Sequence, residues 1–249
     1  LRSPYHTLVD DLPRAGLLIH PAVGRLGNMA LLHDGPLTDL ESDLLSHLGG
    51  RRIRLEEVDP GRPIRPARVV VPNFVTRTGA GAVPSWYRRW LDREANAIPA
   101  STDGRGRRRI FIERPRSPRR VVNQAEIDPV LARHGIEVIE PSTLAPQEEI
   151  ALFRDAELVI GVTGSGLANT IFSRSAHVIE LVPGQELLPH FFYLTAAKGL
   201  PYVFAHHFSG QGTAEALAVY RSEFVPSGLA SEPVTFLTVN AVVAETREE

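Results

Sequence analysis

From Arg109 to Ala205, short apolar runs alternate with amphipathic stretches, and this rhythm constrains the fold more than any other feature of the chain. RIFIE (Arg109–Glu113) reads as a strand. Gln124–His134 reads as a helix, with Asn123 as its N-cap and Glu126 three residues on. IEVIE (Ile136–Glu140) is a strand and Pro146–Asp155 a helix. Leu158–Val162 is a strand and Leu167–Phe172 a short helix. HVIEL (His177–Leu181) is a strand, Leu188–Lys198 a helix ending at Gly199, and Tyr202–Ala205 a last strand. Strands separated by helices require right-handed crossovers, so the pattern predicts a parallel sheet of the α/β class.

The first half is also α/β but less regular. Helix signals cover Tyr5–Arg14, Leu40–Leu48 and Ser85–Asn96, and Thr38 with Glu41 forms a capping box. Strand signals cover Leu17–His20, Arg52–Glu56 and Val69–Val71. A seam rich in Pro, Ser and Gly lies near Ile98–Gly106 and predicts two domains, 1–100 and 106–249. The tail Pro233–Glu249 is expected to end in a helix.

A chain of 249 residues can bury a substantial core. A net charge of −2 and 43% hydrophobic residues argue against a nucleic-acid or membrane-surface protein. There are no cysteines, which excludes disulfides and thiolate metal sites. No apolar run has the ~20 residues of a membrane helix, and the first residues form no signal peptide. These features fit a cytoplasmic protein. The chain opens on Leu1 with Met29 its sole Met, so a longer N-terminus is expected. Arg far outnumbers Lys, which fits a GC-rich bacterial genome.

The segment VIGVTGSGLANTIFS runs a buried strand into Gly164-Ser165-Gly166 and then a helix. In a parallel sheet, ligands sit beyond the carboxyl ends of the strands. Glycines there let the backbone approach a phosphate, and the helix start offers N–H groups and a positive dipole end. Asn169, in the first turn, is placed to anchor the loop or touch the ligand. A dinucleotide fingerprint would need a third glycine where Asn169 stands, and it belongs after the first strand of a sheet. TGSGL is not a hydrolase nucleophile elbow either. Glu180, at the end of the next strand, is expected to accept ribose hydroxyls. Arg114 follows a strand directly, so its guanidinium should reach the same edge, joined by Arg119 or Arg120.

At the N-terminus, YHTLVDDLPR sets His6 and Asp10 four apart on one helix face, with Asp11 beside them. A His held by a carboxylate is a candidate general base. There is no D-x-D and no H-E-x-x-H, and His206-His207 has no spaced partner, so no metal site is expected.

Taken in order, YHTLVDDLPR, IFIERPRSPRRVVN, HGIEVIEPSTLAPQEEIALFRDAELVIG, TGSGLAN and VIELVPG resemble the motifs of family 61 glycosyltransferases. Two positions depart from that pattern. Thr163 stands where the family has His, and Glu113-Arg114 stands for Ser-Arg. The resemblance implies a GT-B-like architecture of two Rossmann-like domains, the N-terminal one incomplete here. It implies an inverting, metal-independent transfer from a nucleotide sugar, expected to be UDP-linked, to a glycan acceptor. His6, Asp10 and Asp11 would supply the base. Arg114, Arg119, Arg120, Asn123, Thr163, Gly164, Ser165, Gly166, Asn169 and Glu180 would hold the donor. No separate cofactor is implied. The competing readings are a non-catalytic sugar-nucleotide or polysaccharide-binding module and an NAD-dependent Rossmann enzyme.

Overall fold

The structure, a computed structural model, describes residues 5–17, 23, 25, 27, 29–49, 53–59, 61–72, 83–99, 108–117, 120, 121, 123–182 and 188–206. It contains two parallel sheets. The smaller pairs β1 (Met29–Asp34) with β2 (Ile53–Val58). The larger is built from β3 (Arg108–Ile112), β4 (Ile136–Ile139), β5 (Ala156–Val162), β6 (His177–Val182) and β7 (Tyr202–His206). The expected α/β class with parallel sheets is therefore observed.

The larger sheet has the spatial order β4-β3-β5-β6-β7, with every pair parallel. The order reverses between β3 and β5, the first and third strands of the sheet. The chain winds away from that point in both directions, which opens a crevice at the carboxyl ends of these two strands. Their inner residues are apolar on both faces: Ile110, Ile112, Val159 and Val178 on one, Phe111, Leu158, Ile160 and Ile179 on the other. The Gln124–Arg133 helix covers the second face through Ile127 and Leu131. The Pro146–Asp155 and His190–Lys198 helices cover the first. The latter stops at Gly199, whose φ of 70° lets its N–H reach Ala196 O and the Leu200 N–H reach Thr195 O.

The N-terminal helices also pack on the first face. A π-helical turn, His6–Asp11, leads into Leu12–Gly16; with Asp39–Gly49 and Ser85–Ala97 it places Leu8, Leu12, Leu44, Tyr87 and Leu91 in the same apolar cluster as Ile110 and Ile112. Polar clasps fix this docking. Buried Tyr87 donates its hydroxyl to Leu8 O, and burial pushes that phenol's pKa well above its ordinary value. Arg154, itself buried, caps the Ser85–Ala97 helix by donating to Ala95 O at 2.7 Å and Ile98 O at 2.5 Å. Thr38 and Glu41 form the expected capping box, with bonds of 2.7 and 3.2 Å.

Several expectations need correction. Val69–Val71 is not a strand but an exposed coil, because no strand among the described residues pairs with it. Met29–Asp34 is a strand that the residue pattern did not announce. Ser165–Phe172 is a 3-10 helix beginning two residues before the expected start. Leu17 ends a helix rather than starting a strand. Residues 18–20, the seam from 100 to 106, Arg119, His207 and the tail Pro233–Glu249 lie outside the described residues.

Candidate functional site

A cleft of about 720 Å³ opens at the switch point. Its floor is the loop after β3, Ile112 to Ser117, and the start of the 3-10 helix, Ser165, Gly166 and Asn169. Its other wall comes from the N-terminal half, through Thr7, Thr38, Glu41 and Leu44. Glu149, from the first turn of the Pro146–Asp155 helix, also lines it.

Arg114 and the glycine turn are one unit. The Arg114 guanidinium donates from Nη1 to Thr163 O at 2.8 Å. It lies flat against Gly164, where a Cβ would stand 1.8 Å from Nη1 and 2.4 Å from Cζ. Gly164 is extended, so its role is to leave room for the guanidinium rather than to adopt a left-handed backbone. The next residues open the 3-10 helix, whose first N–H groups have no carbonyl within the helix to bond. Arg114 and the residues that open the helix, Ser165 and Gly166, all line the cleft, an arrangement suited to an anion.

Thr163 and Glu180 sit beneath this unit. Thr163, buried, donates from Oγ1 to Glu180 Oε1 at 2.6 Å. Tyr202 donates to Glu180 Oε2 at 2.5 Å. Glu180 is fully buried inside β6, paired in register with Gly161 and Phe204. The expectation that Glu180 stands at a strand exit to receive ribose hydroxyls is therefore corrected. Its carboxylate is covered by the sheet and engaged by two hydroxyls. Its Oε1 holds the Thr163 side chain, and the carbonyl of that residue accepts from Arg114. Burial, followed by the neighbouring Glu180 charge, pushes the Tyr202 phenol's pKa well above its ordinary value.

Asn169 is buried in the cleft floor and donates from Nδ2 to Glu149 Oε1 at 2.6 Å. Burial raises the pKa of Glu149 to about 7, and the bond from Asn169 opposes only part of that shift. Sequence reasoning passed over Glu149. Its motif neighbours gave no sign that this glutamate, rather than Glu148 beside it, faces the cleft.

The remaining expected residues are scattered. His6 Nδ1 does meet Asp10 Oδ2 at 2.8 Å, as the four-residue spacing required. Neither residue lines the cleft. His6 is exposed and Asp10 is buried behind the helix. Asp11 lines a second cavity of about 870 Å³ with Arg14 and Val69–Pro72, which adjoins the first through Thr7, Leu37 and Glu41. Thr7, one residue from His6, does reach the cleft and donates its hydroxyl to Glu41 Oε1. Arg120 borders a small recess on the far side of Arg114. Asn123 caps the Gln124–Arg133 helix by position and donates its side-chain N–H to Glu126 at 3.3 Å. Among the described residues, no three His, Asp or Glu side chains gather as a metal site, and no helix is long and apolar enough to cross a membrane.

Two curated proteins of Bacillus subtilis (strain 168) match part of the chain. Uncharacterized protein YvbT is 41% identical over 56 residues, 22% of this chain and 17% of that protein. Uncharacterized protein YddN is 39% identical over 56 residues, 22% of this chain and 16% of that protein. The chain therefore spans about a sixth of the length of the curated relatives it matches. The Glycosyltransferase 61 family model matches residues 5–179, which takes in the N-terminal helices, the Arg114 loop, the glycine turn and Glu149. A match over most of the chain, with both walls of the cleft inside it, establishes that this chain belongs to glycosyltransferase family 61.

Proposed function

We propose that the chain carries an inverting glycosyltransferase site, which moves a sugar from a nucleotide donor, expected to be UDP-linked, to a hydroxyl of a glycan acceptor. The observation that carries this reading is the Arg114–Gly164 unit at the β3/β5 switch point. Arg114, with its permanent charge, and Ser165 and Gly166 at the start of the 3-10 helix line the same cleft.

In this reading the donor diphosphate rests on Ser165 and Gly166 and is flanked by Arg114. As the anomeric C–O bond breaks, the leaving diphosphate gains negative charge. Donors already in place stabilise it without reorganising, and they take the part a divalent cation plays in metal-dependent transferases. The acceptor oxygen attacks the opposite face in one displacement, through an oxocarbenium-like transition state by analogy with glycoside hydrolysis. Glu180 and Tyr202 act through Thr163 as positioning residues for Arg114. Arg119, Arg120 and Asn123 remain proposed outer contacts of the donor, as Asp11 does of the acceptor.

Two features weigh against an NAD enzyme. The glycine turn follows the third strand of its sheet, and Asn169 stands in place of the third glycine. The test is to incubate the purified chain with a panel of UDP-sugars and glycan acceptors, and to follow UDP release and thermal stability together. UDP is expected to raise the melting temperature, and one donor to turn over. Stabilisation by UDP without turnover of any donor would convert the reading to a sugar-nucleotide-binding module. Stabilisation by NAD and not by UDP would sink it.

A further inference from the structure

We propose that Glu149 is the catalytic base of this site, its Oε2 taking the proton from the acceptor hydroxyl. The proposal rests on the transferase reading above. The His6–Asp10 pair, which the residue spacing favoured for this role, does not line the cleft. A base must lie within hydrogen-bond reach of the proton it takes.

Among the described residues, five carboxylates line the cleft: Asp39, Glu41, Glu113, Glu140 and Glu149. Glu41 is committed, since Thr7 Oγ1 bonds its Oε1 and the Thr38 N–H bonds its Oε2. Asp39 is exposed at a helix start, and Glu140 takes the Ser142 hydroxyl at 3.1 Å. Glu113 precedes Arg114 in the floor loop and is half-buried.

Glu149 differs from the exposed Glu140–Ser142 pair in being held by a buried partner. One oxygen is fixed by Asn169 Nδ2 at 2.6 Å, and the other has no hydrogen-bond partner among the described residues. The amide that fixes it is itself locked in the floor. Asn169 is 1% exposed, and its Oδ1 has no partner among the described residues. Such a carboxylate has a set orientation and one open lone-pair face. Burial also moves its protonation midpoint to about 7, where a base is strong enough to take a hydroxyl proton yet still ionised in part at neutrality. Among the described residues, the charged groups sharing the cleft are the four other carboxylates, Arg114 and Arg116.

The step balances. The acceptor oxygen forms its bond to the anomeric carbon as the bond from that carbon to the phosphate oxygen breaks. The nucleoside diphosphate leaves with the electron pair, and the hydroxyl proton passes to Glu149 Oε2. Bulk water then removes it.

The experiment measures transfer against pH for the wild-type chain, Glu149→Gln and Glu149→Asp, with the melting shift on adding UDP as a separate readout. In the wild type, kcat/KM is expected to rise with pH and level off above about 7. Glu149→Gln should lose at least about 10²-fold in kcat and the acidic limb with it, while keeping the UDP melting shift. Glu149→Asp should keep the limb at a reduced rate. Formate should restore part of the activity of Glu149→Ala, which a purely structural role would not allow.

The proposal is overturned if Glu149→Gln transfers at near wild-type rate or keeps the acidic limb. It is equally overturned if Glu113→Gln removes the limb instead, or if both carboxyl variants lose the UDP shift together with the rate. A wild-type chain that binds UDP but turns over no donor takes down the transferase reading, and this proposal with it.

Discussion

The five-stranded sheet is covered on both faces, whereas the two-stranded sheet is covered on one at most. In β5 every residue but Glu157 is buried; in β1 and β2 partly buried residues alternate with exposed ones. The helices explain the difference. Those of the N-terminal half spend their apolar stripes on the large sheet, joining Leu8, Leu44 and Tyr87 to Ile110 and Ile112. The small sheet keeps only its inner residues, such as Leu31, against that cluster. Rigidity is thus concentrated where the glycine turn and Arg114 must be held, and the cleft forms where the N-terminal half meets that support.

The sharpest way to break this comparison is to cut into each sheet's packing. Phe153→Ala, under the large sheet at 0% exposure, is expected to cost about 3–5 kcal/mol in urea unfolding. Leu32→Ala, on the open face of β1, should stay within about 0.5 kcal/mol. Equal losses would show that the two sheets share their stability.

Next in size is Arg114→Ala. Removing a preorganised donor to the leaving group should lower kcat/KM on the order of 10²-fold with the melting temperature nearly unchanged. Tyr202→Phe strips one of two hydroxyls from a buried carboxylate, so a stability loss of about 1–3 kcal/mol is expected, with weaker nucleotide binding as Thr163 loosens. Gly164→Ala is smaller still. Its methyl would occupy the guanidinium's place, so Arg114 must swing aside and nucleotide affinity should fall about tenfold. In the Arg114→Ala background the same change should do almost nothing, and additive effects in titration calorimetry would refute the coupling.

Stability also depends on pH through Glu149. The folded chain keeps Glu149 protonated up to about 7, while the unfolded chain releases that proton near 4.5. Between these values the folded state binds more protons, so this group's contribution to stability falls as pH rises and is level above about 7. Melting curves of Glu149→Gln at constant ionic strength should lack that part of the decline.

Much of this was legible in the residues. The strand–helix rhythm after Arg109, the Thr38–Glu41 capping box and the stop at Gly199 all rest on local rules, and local rules are written in neighbouring residues. β1 was not legible, because MALLHD has no β-branched residue and becomes a strand by pairing with β2. Val69–Val71 misled for the opposite reason: a β-branched run needs a partner strand, and none pairs with it among the described residues. At the site, Arg114 and the glycine turn were readable because each directly follows a strand. Glu180 was misplaced by two residues of strand, which moved it from the sheet's edge into its interior.

Spacing and motif order suffice for the element types from Arg109 onward, the parallel class and the family. The tertiary structure alone decided that β3 and β5 are neighbours, that Thr7 and Glu41 face Arg114 across a cleft, and that Glu149 titrates near neutrality while Glu180 is sealed away. Those outcomes depend on contacts between residues far apart in the chain and on how much water each carboxylate keeps. Neither quantity is a property of a residue and its sequence neighbours.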